Sequence, residues 1–218
     1  MTAKKAARNK PAKRALVRRT QEQRRADTQS RILTAALDVL VEKGHAHFTT
    51  IGVAAKAGVS RGAQENYYRT RTDLIAAATA HAMDEASART ASSAERAKTS
   101  TDPLKEFLDD EKEFFFSNTY AAMVELALAG RDEPALEKIH RDAFVKFGRL
   151  RNKVWTEALV AAGYGEREVR DFVEMTVYLL RGMTMTDLIL PQKSPGDLLS
   201  RWHDLAPGIL RNMPPKKK

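Results

Sequence analysis

Cysteine is absent from the 218 residues. That excludes disulfides, thiolate nucleophiles and cysteine-ligated metals, and it fits a reducing compartment. No stretch approaches about eighteen consecutive apolar residues, so no transmembrane helix is expected. The basic N-terminus is not followed by an apolar segment, so it does not read as a secretory signal. An Arg-rich organellar transit peptide has a similar composition. The location expected is cytoplasmic, with no membrane partner. Phosphate-binding Walker loops, G-x-S-x-G elbows and H-E-x-x-H pairs are also missing, as is any evident nucleophile–base or metal set. A non-enzyme with no metal and no cofactor follows as the expectation. Alternating apolar–polar runs of useful length are lacking too, which argues against sheet, and no internal repeat is evident.

What is present is charge at one end and helical periodicity elsewhere. The formal net charge is +9. Residues 1–25 contain Lys4, Lys5, Arg8, Lys10, Lys13, Arg14, Arg18, Arg19, Arg24 and Arg25 against the single acid Glu22, so the excess sits in this arm and the remainder is balanced. A basic arm beside a neutral domain is common in nucleic-acid binders, and a solvated leader is the plainer reading. Residues 1–23 have almost no large apolar side chains and are expected to be disordered, as is the tail 213–218. Ile32, Leu33, Ala36, Leu37, Leu40 and Val41 recur at spacings of three and four, the signature of one helix face, and Gly44 stops that helix. Thr70 opens a long helix, and Asp102-Pro103 opens a helix or kinked pair reaching Ala129. Pro134 opens another to about Ala162, Gly163-Tyr164-Gly165 breaks it, and two more span about 166–190 and 195–211, the last fading near Pro207-Gly208. The fold class predicted is all-α.

The most informative segment runs from Phe48 to Tyr68. Val53, Ala54 and Ala57 give a first short helix a small apolar face, which lets a second helix pack close. Gly58 stands at a sharp turn, where a left-handed conformation favours glycine. Val59 fills the corner. Thr50 and Ser60 are in position to cap the two short helices, about 50–57 and 61–67. Helix, glycine turn and helix make the helix-turn-helix layout, although short bundle connections have similar patterns. In that layout the second helix enters the major groove N-terminus first. Arg61, Gly62, Ala63, Glu65 and Asn66 then face base edges or phosphates. Arg61 has the fork for a guanine, and Asn66 the amide for an adenine.

Residues 31 to 75 closely resemble the DNA-binding region of the TetR family of bacterial one-component regulators. The resemblance rests on Arg31-Ile-Leu-x-Ala-Ala36, Leu40, Gly44, Phe48-Thr-Thr50, Val53-Ala54, Ala57-Gly-Val-Ser60, Gly62-Ala63, Tyr68 and Arg71-x-Asp-Leu74, without a gap. It implies that Thr50 and Ser60 meet phosphate and that Arg61, Gly62 and Ala63 face the groove. It implies as well that Tyr67 and Arg71 occupy phosphate-contacting positions, while Tyr68 replaces a core phenylalanine. Glu65 departs from the family, which often has a DNA-contacting tyrosine there. An acid is repelled by phosphate but can accept from a cytosine amino group. The domains expected are a disordered arm (1–23), a three-helix DNA-binding domain (24–75), a regulatory and dimerisation domain (76–212) and the tail (213–218).

The resemblance implies a C-terminal domain that binds a small effector and forms a homodimer. Candidate ligand residues are Phe115, Tyr120, Met123, Phe144, Phe147, Trp155, Met175 and Tyr178, although aromatic and Met residues at helical spacing are more often plain core. Helices 166–190 and 195–211 are the expected dimer interface. The function implied is a ligand-responsive repressor that binds a palindromic operator in double-stranded DNA. In that reading the arm residues Arg18, Arg19, Arg24 and Arg25 add salt-sensitive phosphate contacts, and the rival is an architectural or weakly specific DNA-binding protein whose arm supplies most of the affinity. His45-Ala-His47 has the look of a chelate but no third ligand nearby, and Asp109-Asp110-Glu111 reads as a solvated helix face.

Overall fold

The computed structural model describes residues 20–190 and 196–212. The arm with Arg18 and Arg19, and the tail 213–218, lie outside the described residues. The described residues form nine α-helices and one 3-10 turn and contain no strand: α1 (Gln21–Lys43), the turn His45–His47, α2 (Thr50–Ala57), α3 (Arg61–Glu65), α4 (Arg71–Ala97), α5 (Pro103–Phe115), α6 (Asn118–Ala129), α7 (Pro134–Ala161), α8 (Glu166–Ile189) and α9 (Gly196–Asn212).

Local chemistry accounts for most of the boundaries. The Thr20 side chain accepts from the Gln23 N–H while the Gln23 side chain accepts from the Thr20 N–H, a reciprocal cap. Helix therefore begins at Gln21, within the stretch 1–23 expected to be disordered. Thr49, not Thr50, caps α2: its Oγ1 accepts from the Gly52 N–H at 3.0 Å, and Thr50 is the first helical residue. Adjacent threonines offer the same chemistry, and the register falls to the one that follows the buried Phe48. Ser60 caps α3 as expected. The 102–129 stretch is two helices, because Ser117 caps α6 through the Tyr120 N–H at 3.2 Å and donates back to the Phe114 carbonyl at 2.7 Å. α9 does not fade at Pro207-Gly208 but continues to Asn212. Leu199, Ala206 and Leu210 are buried along it, and that packing outweighs the one backbone donor that proline lacks.

Two apolar clusters organise the molecule. The first joins the α1–α3 head to the body, from Ile32, Val39, Leu40 and Val53 through Leu74, Ile75 and Met83 to Phe114, Phe115, Tyr120, Met123 and Phe147. Full burial of Ile32 and Val53 stabilises the head by roughly 1.5–3 kcal/mol each. α4 belongs to both halves and makes its most extensive pairing with α7. The second cluster is built on Phe107, Trp155, Phe172, Ala206 and Leu210. Trp155 meets Phe107 edge-on at 5.2 Å between centroids, and Trp202 stacks on Phe172 at 5.5 Å.

Candidate nucleic-acid interface

The corner between α2 and α3 is held from several sides. Gly58 adopts φ +65°, and its N–H closes α2 on the Ala54 and Ala55 carbonyls. The Arg31 guanidinium, reaching from α1, donates to the Ala57 carbonyl and to the Gly58 carbonyl, the latter at 3.1 Å. A Cβ on Gly58 would stand 3.0 Å from that guanidinium. Lys56 ties α2 to α1 by pairing with Glu42 at 2.6 Å and Asp38 at 3.9 Å. Arg31 thus acts as a clamp on the turn, a role that local pattern does not reveal.

Only one residue of α3 points inward. Gln64 is fully buried, and its Nε2 donates to the Tyr68 carbonyl at 2.8 Å. The Gln64 carbonyl takes both the Tyr67 and Tyr68 N–H groups, so the helix ends at Glu65 instead of running to residue 67. Tyr68 is buried, and its hydroxyl accepts from Gln29 at 2.9 Å. The rest of α3 faces outward. Arg61, Gly62, Glu65 and Asn66 are exposed and Ala63 is half-buried. A Cβ added at Gly62 would touch none of the described residues within 4 Å. Arg61 Nε donates to Glu65 Oε1 at 2.6 Å. Cations flank the helix: Arg25 lies 5.9 Å from the Tyr67 ring, and Arg69 follows, exposed.

The two implied phosphate donors have different surroundings. Tyr67 is half-buried and its hydroxyl donates its one proton to the Arg25 carbonyl at 3.2 Å. Arg71 turns inward, with Nε on the Phe48 carbonyl at 3.2 Å, a second donor on the His45 carbonyl, and the Phe48 ring 5.7 Å away. Its remaining amino group approaches Glu133 at 3.9 Å. Arg71 therefore ties the 3-10 turn to the head and to the start of α7. His45 completes this junction: its N–H donates to Glu125 Oε1 at 2.6 Å. Burial and then the Arg71 charge hold its imidazole below its ordinary pKa against Glu133 and Glu125.

The candidate ligand residues separate into three environments. Phe115, Tyr120, Met123 and Phe147 are packed together in the first cluster, with Phe144 at its margin. Phe144 lies under the Arg181 guanidinium at 5.0 Å and against His140 at 5.4 Å. Trp155 is buried in the second cluster, away from these. Met175 and Tyr178 are 41% and 62% exposed on the outer face of α8. One group escaped the sequence reading. Asp109 is exposed, but Asp110 and Glu111 are buried, so the triplet is not a solvated face. Asp110 accepts from Thr90 at 2.9 Å and from the Trp155 indole at 3.2 Å, with Arg89 at 3.3 Å. Glu111 lies 3.8 Å from the buried Arg151. The signal was available: Leu104, Phe107, Leu108 and Glu111 share one helical face.

No family model matches the chain. It is 31% identical over 176 residues to the HTH-type transcriptional regulator CymR of Pseudomonas putida, covering 78% of this chain and 84% of that protein. Among solved structures, a TetR transcription regulator from Haloarcula marismortui aligns with TM-score 0.60 at 19% identity, over 85% of this chain and 97% of that one. The multidrug binding protein EbrR, complexed with ethidium, aligns with TM-score 0.55 at 22% identity, over 84% and 98% of the two chains.

Proposed function

The chain belongs to the TetR family of transcriptional regulators, and from that premise we propose that it is a ligand-responsive repressor that binds a palindromic operator as a homodimer. The observation that carries this reading is the outward face of α3: Arg61, Gly62, Glu65 and Asn66 exposed on a short helix whose inner side is anchored by Gln64 and Tyr68. Arg61 and Asn66 read base edges, and Gly62 and Ala63 let the backbone approach. Thr50, Ser60 and the arm residues Arg18 and Arg19 contact phosphate and add salt sensitivity, and Tyr67 joins them by turning its hydroxyl proton from the Arg25 carbonyl to a phosphate oxygen. Arg71 contributes by holding the head to the body more than by reaching DNA, since its donors already have internal acceptors.

Dimerisation uses α8 and α9. Met175, Tyr178, Met185 and Ile189 are exposed on one stripe of α8 at spacings of three, seven and four, and Leu198 and Leu205 are exposed on α9. Gly182 lies within that stripe, where a Cβ would meet none of the described residues within 4 Å, so a partner helix can approach closely. A two-fold arrangement sets two α3 helices about 34–36 Å apart, one DNA turn. The effector binds in the body among Phe115, Tyr120, Met123, Phe144 and Phe147. It acts by favouring one of two head spacings through differential affinity, and α4, which belongs to both halves, transmits the change.

No helix among the described residues is long and apolar enough to cross a membrane. Selection of bound sequences from a random duplex pool tests the reading. A palindromic consensus is expected, and its absence refutes specific dimeric readout. In parallel, Tyr178→Asp is expected to convert the dimer to monomer in sedimentation and to weaken operator binding. A monomeric wild-type chain refutes the dimer.

A further inference from the structure

Arg61 and Glu65 lie one turn apart on the outer face of α3, with side chains 67% and 45% exposed. Their contact is a single hydrogen bond, Arg61 Nε to Glu65 Oε1 at 2.6 Å. Arg61's two terminal amino groups and Glu65 Oε2 make no hydrogen bond among the described residues. A guanidinium held through Nε presents both amino groups together, side by side and outward. That is a fork able to span O6 and N7 of guanine. Beside the pair, Gly62 carries no side chain and has open space around it.

The pair also changes what Arg61 does elsewhere. A lone arginine on a groove-facing helix reaches a phosphate oxygen as readily as a base edge, and that contact carries no sequence information. A carboxylate one turn away is repelled by the phosphates and offsets the cation locally. In bulk water an exposed pair of this kind is weak. Once the helix is in the groove and water is displaced, the attraction between its members grows. We propose that Glu65 is a positioning residue for readout: it aims the Arg61 fork at a guanine and suppresses Arg61 as a phosphate contact. This rests on the DNA-binding reading above and explains an acid at a position facing a polyanion.

The test uses the full-length chain as wild type, Glu65→Ala, Glu65→Gln and Arg61→Ala. Each is passed through selection from a random duplex pool and then titrated against the selected operator and random duplex at several salt concentrations. The wild type is expected to select a guanine in each half-site that Arg61→Ala loses. Glu65→Ala is expected to bind operator more weakly and random duplex more tightly. The ratio of the two falls on the order of ten-fold, the scale of one bidentate base contact. Its salt dependence on random duplex steepens by about one phosphate contact. Glu65→Gln keeps an oxygen that accepts from Nε, so it retains the guanine preference. Both side chains are exposed, so circular dichroism melting should be unchanged. A Glu65→Ala protein with wild-type consensus and ratio overturns this inference alone, as does a Glu65→Gln protein that loses the guanine as fully as Glu65→Ala. A wild-type chain without any consensus instead removes the underlying DNA-readout proposal together with this one.

Discussion

Replacing Glu111 by glutamine is expected to stabilise the protein at alkaline pH and to do almost nothing in acid. Glu111 is 1% exposed, and its Oε2 has no hydrogen-bond partner among the described residues. Burial pushes its carboxyl up most strongly, Arg151 opposes, Asp110 adds to the rise and Arg89 and Arg181 oppose; the result is a pKa raised from 4.5 to about 7. The folded chain therefore keeps a proton that the unfolded chain has already released. Stability is greatest below the unfolded value, falls as pH rises between the two values, and is level above the folded one. With each pKa unit equal to about 1.36 kcal/mol, the cost at about pH 8 is roughly 3 kcal/mol. Glutamine is neutral and nearly isosteric, so Glu111→Gln lacks that cost.

The assay is urea unfolding followed by circular dichroism, with both proteins at equal chain concentration, since association shifts apparent stability. The variant should exceed the wild type by about 3 kcal/mol near pH 8 and match it near pH 4. Arg151 does not lose all its partners in the variant, because it also donates to Asn152 at 2.9 and 3.2 Å. The opposite result refutes the reasoning. If the Glu111–Arg151 pair is net stabilising, removing one member costs about 3–5 kcal/mol, and Glu111→Gln is then the less stable protein at pH 8.

Three further outcomes are expected. Gly58→Ala forces a side chain into the left-handed region and against Arg31, so it should lower unfolding free energy by about 1–2 kcal/mol, measured by the same denaturation; an unchanged midpoint refutes the strained corner. The hydrogen bond to Asp102 at 3.1 Å holds His203 above its ordinary pKa. Partial burial pushes Asp102 up, but hydrogen bonds from His203 and the Lys105 N–H outweigh it and hold the carboxyl below 3.8. The pair's contribution is thus fully present between about pH 4 and 6.5 and is lost as pH rises through the His203 value or falls through that of Asp102. His203→Asn should therefore lower the melting temperature more at about pH 5.5 than at pH 8.5, and equal losses at both refute it. Deleting residues 1–19 should weaken operator and random-duplex binding alike while preserving their ratio, and a changed ratio in a salt titration refutes a purely electrostatic arm.

Much of the fold was legible because helix ends are made by neighbours in sequence. Gly44, Gly58, Ser60, Asp102-Pro103 and Pro134 act within about four residues of themselves, so their spacing alone predicts where helices begin and stop. The exposed side of α3 was legible for the same reason: a capped helix after a glycine corner presents Arg61, Glu65 and Asn66 outward, although nothing in that pattern singles out Gln64 as the helix's inward member. Even so, sequence alone does not choose between Thr49 and Thr50 as the cap, nor show that α9 passes through Pro207.

The rest depended on partners far along the chain. Glu111 reads as a surface acid until Arg151 is brought to 3.8 Å across the α5–α7 contact. Arg71 reads as a phosphate donor until the His45 and Phe48 carbonyls meet it. Trp155 reads as a neighbour of the other aromatics until α5 and α8 enclose it apart from them, and Met175 and Tyr178 read as interior until the packing of α8 leaves them outside. The amino-acid order by itself determined the helical plan, the glycine corner and the charge of the arm, because those follow from local backbone chemistry and side-chain type. Which charged groups are desolvated, and which apolar faces stay open, was decided only when helices remote in sequence packed, because burial belongs to the assembled set of neighbours and not to any one residue.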